Sequence, residues 1–211
     1  SELEERRPSV EVRHRVDETP PRAGLKESPP KLSRSASASF AFTGEDAEAG
    51  VARFQCSLDG GDFSPCESPK EYATLPEGEH TFAVRAVDKA GNIGEPTPAH
   101  RWVVDVTAPE LVLTDKPAKT GSATTATFAF ELPQHEGRSG IEVACALDNA
   151  RFQRCASPIT YTSLKEGEHV FSLRATDEAG NENDAMRWEW KVDLPPTAKV
   201  MRGGTERGAA N

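Results

Sequence analysis

Leu75-Pro76-Glu77-Gly78-Glu79-His80-Thr81-Phe82-Ala83-Val84-Arg85-Ala86-Val87-Asp88-Lys89-Ala90-Gly91-Asn92 returns 89 residues later as Leu164-Lys165-Glu166-Gly167-Glu168-His169-Val170-Phe171-Ser172-Leu173-Arg174-Ala175-Thr176-Asp177-Glu178-Ala179-Gly180-Asn181. Within each stretch His80, Phe82, Val84 and Ala86, or His169, Phe171, Leu173 and Ala175, fall on alternate positions. That is the period of a half-buried strand. The same offset aligns residues 54–92 with 143–181, and 20 of those 39 positions are identical. A period near 90 exceeds the roughly 20–50 residues of a solenoid unit. It suits a domain that folds alone, about 50–200 residues. The chain is therefore read as two tandem modules, 18–105 and 106–193. Residues 1–17 read as the end of a preceding repeat or a flexible lead-in, and 194–211 as the start of a further repeat or a disordered tail.

Seven extended runs can be placed in each copy. In the second they are Glu110 to Thr114, Thr124 to Phe130, Ile141 to Leu147, Phe152 to Cys155, Pro158 to Thr162, Glu168 to Asp177 and Arg187 to Val192. The first repeats the plan through Phe40 and Phe42, Phe54 to Leu58, Phe63 to Cys66, Tyr72, the long run from His80, and Arg101 to Val104. No window of useful length carries a helical period. Short strands separated by turn signals predict an all-β fold, and seven per copy is the immunoglobulin-like count. The expected architecture is two tandem seven-stranded immunoglobulin-like β-sandwiches. The stretch 18–39, with Pro20, Pro21, Pro29, Pro30 and several serines, reads as a loose or extended lead-in to the first.

Each copy holds two cysteines ten positions apart, Cys56 and Cys66, Cys145 and Cys155. Zinc sites favour Cys-x2–4-Cys pairs with histidines at short spacing, and neither occurs here. Nothing beside these residues marks a low-pKa nucleophilic thiol. Each pair flanks a turn, so the two cysteines lie on neighbouring antiparallel strands. Direct opposition, with Gly60-Gly61-Asp62 or Asn149-Ala150-Arg151 as the loop, brings their Cα atoms within disulfide range. A disulfide inside one hairpin of each copy follows, unlike the antibody bridge that joins two sheets. Such bonds belong to an oxidising place: secreted, periplasmic or cell-surface.

The net charge of −9 opposes nucleic-acid binding, which needs basic surfaces. No apolar run nears the ~18 residues of a membrane span. No signal peptide is visible at Ser1, and Val12 to Asp17 resembles the module end Arg101 to Asp105. Both features suit a piece of a longer array.

Phe54 to Gly61, Leu75 to Phe82, Arg85 to Asn92 and Val104-Asp105-Val106-Thr107-Ala108-Pro109-Glu110 together resemble bacterial immunoglobulin-like repeats, over about 180 of the 211 residues. The resemblance implies tandem modules of large secreted or cell-surface proteins, adhesins among them. Leu75-x-x-Gly78-x-His80 also resembles the tyrosine corner of fibronectin-type modules, with His80 and His169 in the aromatic place. A family defined by fold transfers little about ligands.

Four groups of residues are candidates for a role. His80 and His169 have no second ligand beside them in sequence and are expected at corners, hydrogen-bonded to backbone. The Asp-x-Ala-Gly-Asn loops are turns in which Gly91 and Gly180 supply positive φ; the other reading is calcium, a hard cation wanting six to eight oxygens. The calcium ligands would be Asp88, Asn92 and Asp105, and Asp177, Asn181 and Asp193, meeting at module boundaries. Trp102 and Trp190 are expected in packing. Trp188, whose counterpart is His100, is the ring most open to a glycan. Arg85 and Arg174 face outward for solubility and cross-strand ion pairs.

No nucleophile–base–orienter set recurs in the two copies, which argues against an enzyme. The short Val104 to Glu110 connection with Pro109 leaves little slack, so an elongated pair is expected. The leading functional reading is a non-catalytic spacer of a bacterial surface or secreted protein. The partners would be neighbouring repeats, with a surface protein or glycan as the binding alternative. An accessory region of a secreted hydrolase is a third.

Overall fold

The computed structural model describes residues 16–133 and 140–196. It divides the chain into two compact units, Ser1–Thr107 and Ala108–Asn211. The tail from Thr197 onward and the first fifteen residues lie outside the described residues. The first unit contains β1 (Arg22–Glu27), β2 (Leu32–Ser33), β3 (Ala38–Glu45), β4 (Val51–Leu58), β5 (Ser64–Cys66), β6 (Lys70–Tyr72), β7 (Gly78–Asp88) and β8 (His100–Val104). They form one sheet of order β1-β3-β6 and a second of order β2-β8-β7-β4-β5. The second unit repeats this with β9 (Val112–Asp115), β10 (Thr120–Gly121), β11 (Ala126–Glu131), β12 (Glu142–Leu147), β13 (Gln153–Arg154), β14 (Ile159–Tyr161), β15 (Gly167–Thr176) and β16 (Met186–Val192). Its sheets run β9-β11-β14 and β10-β16-β15-β12-β13.

All seven runs read for the second copy are present in its unit, and the six named for the first, from Phe40 onward, are present in the other. The additional short piece is the second half of the opening strand, which changes sheets. In the first unit β1 pairs antiparallel with β3, the chain kinks at Pro29-Pro30, and β2 pairs parallel with β8. Proline offers no N–H and cannot continue a ladder, so it stands where the strand leaves one sheet for the other. Of the loose or extended lead-in expected over 18–39, the extended reading holds, but the stretch is part of the sandwich and not a lead-in to it. That stretch supplies β1, β2 and the start of β3, and Ala23 and Leu25 pack against the core.

The core lies between the sheets, built from alternate residues. On β7, His80, Phe82, Val84 and Ala86 are buried while Thr81, Ala83 and Arg85 are half-exposed. Phe40 of one sheet stacks on Phe82 of the other at 3.9 Å between ring centroids and 14° between planes. Trp102 meets Phe40 edge-on at 5.2 Å. In the second unit Phe128 and Phe171 stack at 3.9 Å and 14°, with Trp190 edge-on at 5.3 Å. Burying each such ring stabilises by about 1.5–3 kcal/mol, and aromatic geometry adds about 0.5–1.5 kcal/mol per pair.

Disulfides join Cys56 to Cys66 and Cys145 to Cys155, each with Cα atoms 5.8 Å apart. They lie within one hairpin, as the spacing implied, but their register differs from direct opposition. Cys66 faces Phe54, and Cys56 faces Ser64, so the bridge is diagonal. The cause is the turn. Asp59 and Gly60 both take positive φ, 53° and 71°, and Gly61 N–H donates to the Leu58 carbonyl. Two successive positive φ values define a tight hairpin turn favoured by Asp-Gly. It centres the hairpin earlier than an equal count of residues would.

The two cores share no buried residue. Replacing Phe128 with Ala should therefore destabilise the second unit by about 3–5 kcal/mol. Native-state hydrogen exchange should show lost protection along β15 and unchanged protection along β7.

Candidate functional site

The polar residues repeated in both units gather in two places, at opposite ends of the long strands β7 and β15. At the start of β7, His80 is 4 % exposed and stands at the corner beside the β4–β5 turn. Its Nδ1 lies 2.9 Å from Asp59 Oδ2 and its Nε2 2.9 Å from the Pro76 carbonyl. Asp59 also accepts from Thr81 N–H through Oδ1. In the second unit, His169 Nδ1 is 3.1 Å from Asp148 Oδ2, and Nε2 is 2.8 Å from the Lys165 carbonyl. Val170 N–H donates to Asp148 Oδ1. The Trp102 and Trp190 rings each cover a histidine at 5.3 Å. Both histidines have pKa values raised above 6.5, first by the backbone carbonyl and, against the opposing effect of burial, by the aspartate. The corner position with a backbone partner is as read from the sequence. The aspartate partner, from the hairpin turn between the two cysteines, is not among the sequence candidates. The recurrence of Asp59 and Asp148 21 residues before each histidine was the available signal.

At the far end of β7 the Asp-x-Ala-Gly-Asn loop closes on itself. Asp88, 1 % exposed, accepts from the Gly91 and Asn92 amides through Oδ1 and from Asn92 Nδ2 through Oδ2. Gly91 and Gly180 take φ of 99° and 88°, the left-handed region that favours glycine. Burial pushes the Asp88 carboxyl up, but these hydrogen bonds outweigh it and hold it below its ordinary 3.8. Asn92 Nδ2 also donates to the Asp17 carbonyl. One carboxylate oxygen from each of Asp17, Asp46 and Asp88 lies within 4.8 Å of the others. Asp17 Oδ2 accepts from Ala49 N–H, and Asp46 Oδ1 from the Glu48 and Gly50 amides. Asp46 Oδ2 is buried without a partner.

This arrangement corrects the proposed calcium ligands. Asp88 and Asn92 come together, but Asp105 is not with them. Gly78 pairs with Val104, so Asp105 lies at the start of β7 and Asp88 at its end, about 30 Å apart at roughly 3.3 Å per residue. Likewise Gly167 pairs with Val192, which puts Asp193 at the end of β15 away from Asp177 and Asn181. The linker aspartate on the Asp88 loop is Asp17, the sequence counterpart of Asp105 one module earlier. Spacing along the chain showed that a linker aspartate belongs to the loop, but not which of two linkers it is.

The aromatic and basic candidates are absorbed by packing. Trp102 and Trp190 are 2 % and 4 % exposed. Trp188 is half-buried, its Nε1 donates to the Pro117 carbonyl, and the Lys116 and Lys119 ammonium groups lie 4.0 and 3.9 Å from its ring centre. This is not the open ring expected of a glycan platform. His100 makes the same contact in the first unit, its Nε2 donating to the Pro29 carbonyl. Both side chains hold the proline kink where the opening strand changes sheets. Arg85 stacks over Phe63 and donates to Gln55, while Arg174 stacks over Phe152 and pairs with Glu182. Among the described residues the expected ion pair is found at Arg174, and the stacking on phenylalanine is common to both.

A groove of about 990 Å³ runs between β3 and β4 of the first unit past Phe42, Val51, Phe54 and Pro65. Among the described residues no helix is long and apolar enough to cross a membrane.

No protein-family model matches the chain, and no curated protein does. Among solved structures it is similar to the CbhA fibronectin(III)-like modules of Clostridium thermocellum, at 16 % identity over 82 % of this chain and 94 % of that one, with a TM-score of 0.46. It is also similar to the chicken CNTN1 FN1–FN3 domains, at 13 % identity over 82 % and 68 %, TM-score 0.40. A two-domain fibronectin type III segment of chicken tenascin matches at 15 % identity over 81 % and 98 %, TM-score 0.35. The fold of this chain rests on its own strand order, and each unit is an immunoglobulin-like, fibronectin type III-like sandwich.

Asn92→Ala removes the side-chain donor to buried Asp88 and should destabilise the first unit by about 1–3 kcal/mol, the range for a buried acceptor left unpaired. Asn181→Ala does the same beside half-buried Asp177 and should cost the second unit less, because water can replace the lost donor. Urea unfolding of the two variants measures the difference.

Proposed function

We propose that these modules are non-catalytic spacers of a bacterial secreted or surface protein, displaying other parts of that protein away from their anchor. The observation that supports this reading is what the two units share. The stacked phenylalanines repeat to within 0.1 Å as 3.9 Å and 3.9 Å, and the disulfides, corners and loops recur. The shared histidines, the aspartates that face them and the Asp88–Asn92 and Asp177–Asn181 pairs make internal contacts that hold the fold. Disulfides favour an oxidising location outside the cytosol. A spacer requires only packing, and packing is what is duplicated.

The test is surface display. The chain is tethered with an epitope at its free end, and antibody access is measured for three forms: both units, the second deleted, and the second replaced by a further copy of the first. A spacer loses access on deletion and regains it on replacement. Access that depends on which unit is present, rather than on how many, would overturn the reading in favour of a binding module or an accessory to a hydrolase.

Calcium is a second reading, now at Asp17, Asp46 and Asp88. The buried, unpartnered Asp46 Oδ2 favours it, since an unpaired buried carboxylate oxygen is costly and hard cations seek such oxygens. A bound ion would tie the residues preceding β1 to the β3–β4 and β7–β8 connections. Calorimetric titration of chelator-treated protein with CaCl2 should give heat in the wild type and none in Asp46→Asn. Absence of heat at millimolar calcium in the wild type ends this reading.

A further inference from the structure

We infer that His80 and His169 are held as imidazolium cations, and that each is a pH-operated latch fastening the hairpin turn to the corner of its own unit. The argument rests on acceptor counting. The Pro76 carbonyl can only accept, so His80 Nε2 must carry a proton to bond at 2.9 Å. The Asp59 carboxylate can only accept, so Nδ1 must carry one too. Both ring nitrogens donate only in the charged form. The same count holds for His169 between Lys165 O and Asp148. Two independent copies of the arrangement, in two separate cores, make an accident of one loop an insufficient account.

The surroundings are consistent with a retained charge. Asp59 faces His80 from the β4–β5 turn, the corner offers the Pro76 carbonyl, and β8 offers the face of Trp102. Asp148 faces His169 from the β12–β13 turn, the corner offers the Lys165 carbonyl and β16 the ring of Trp190, while Glu168 on the same strand adds negative potential. An electron-rich aromatic face also favours a cation.

Loss of one proton has a definite consequence. Whichever nitrogen gives up its hydrogen, its lone pair is left against an oxygen that can only accept, the Asp59 carboxylate or the Pro76 carbonyl. Repulsion then releases the turn from the corner, although Asp59 still accepts from Thr81. The sign follows from the raised folded pKa. Stability from the latch is fully present below the unfolded value of 6.5 and is lost as pH rises through the folded value. The modules are thus fastened in acid and loosened in alkali at two matched points.

The test uses the full chain labelled with 15N, observing the imidazole nitrogens between pH 5 and 9 at values chosen for the experiment (roughly the span over which histidine titrates). Both nitrogens of both rings should carry protons at the unfolded pKa. Asp59→Asn keeps the left-handed turn, which Asn tolerates, and still accepts from Thr81. It should lower the proton affinity of His80 about tenfold or more and leave His169 unmoved, with Asp148→Asn giving the converse. Melting of the affected unit should then lose its fall with rising pH. A single N–H per ring at that pH, or an unmoved His80 midpoint in Asp59→Asn, would overturn the inference.

Discussion

The two sheets of each unit face each other across a core of side chains, and the stack of Phe40 on Phe82, and of Phe128 on Phe171, lies at its centre and sets how far apart the sheets stand. A large ring from the middle strand of one sheet lies flat on a ring from the middle strand of the other, and a tryptophan closes the edge. The remaining core residues fill the space this contact leaves. Their alternation along β3, β7 and β11 makes sense only relative to it.

A module of this size buries a thin core, and the periphery is secured by separate means. A disulfide pins the outer hairpin strand to its neighbour. The histidine corner ties that hairpin's turn to the start of the long strand, and the aspartate loop closes the strand's other end. His100 and Trp188, different in chemistry, hold the corresponding proline carbonyls, of Pro29 and Pro117, at the kink of each opening strand. These fastenings sit where the sheets would otherwise fray. The polar residues that make these fastenings repeat between the copies because both copies need them for the fold.

Much of this was legible from residues alone. The alternation His80, Phe82, Val84, Ala86 located β7, and its recurrence at His169, Phe171, Leu173, Ala175 located β15. The ten-residue cysteine spacing placed each disulfide in one hairpin. The prolines at 29 and 30 misled, because they mark a change of sheet as readily as a loose segment. Trp188 misled as well, since its cover comes from Lys116, Lys119 and Pro117, some 70 residues earlier in the chain.

What the sequence determined is whatever depends on local period and on spacing within a hairpin: strand positions, the tandem repeat, the disulfide pairs and the positive-φ glycines. What only the tertiary structure decided is which distant polar groups meet. Asp59 finds His80 because a tight turn folds it over the neighbouring strand. Asp17 rather than Asp105 joins Asp88, because antiparallel pairing of β7 with β8 carries the following linker to the opposite end of the sandwich. Such meetings depend on the direction of strands and the register between them, and neither is written in the order of residues along a single strand.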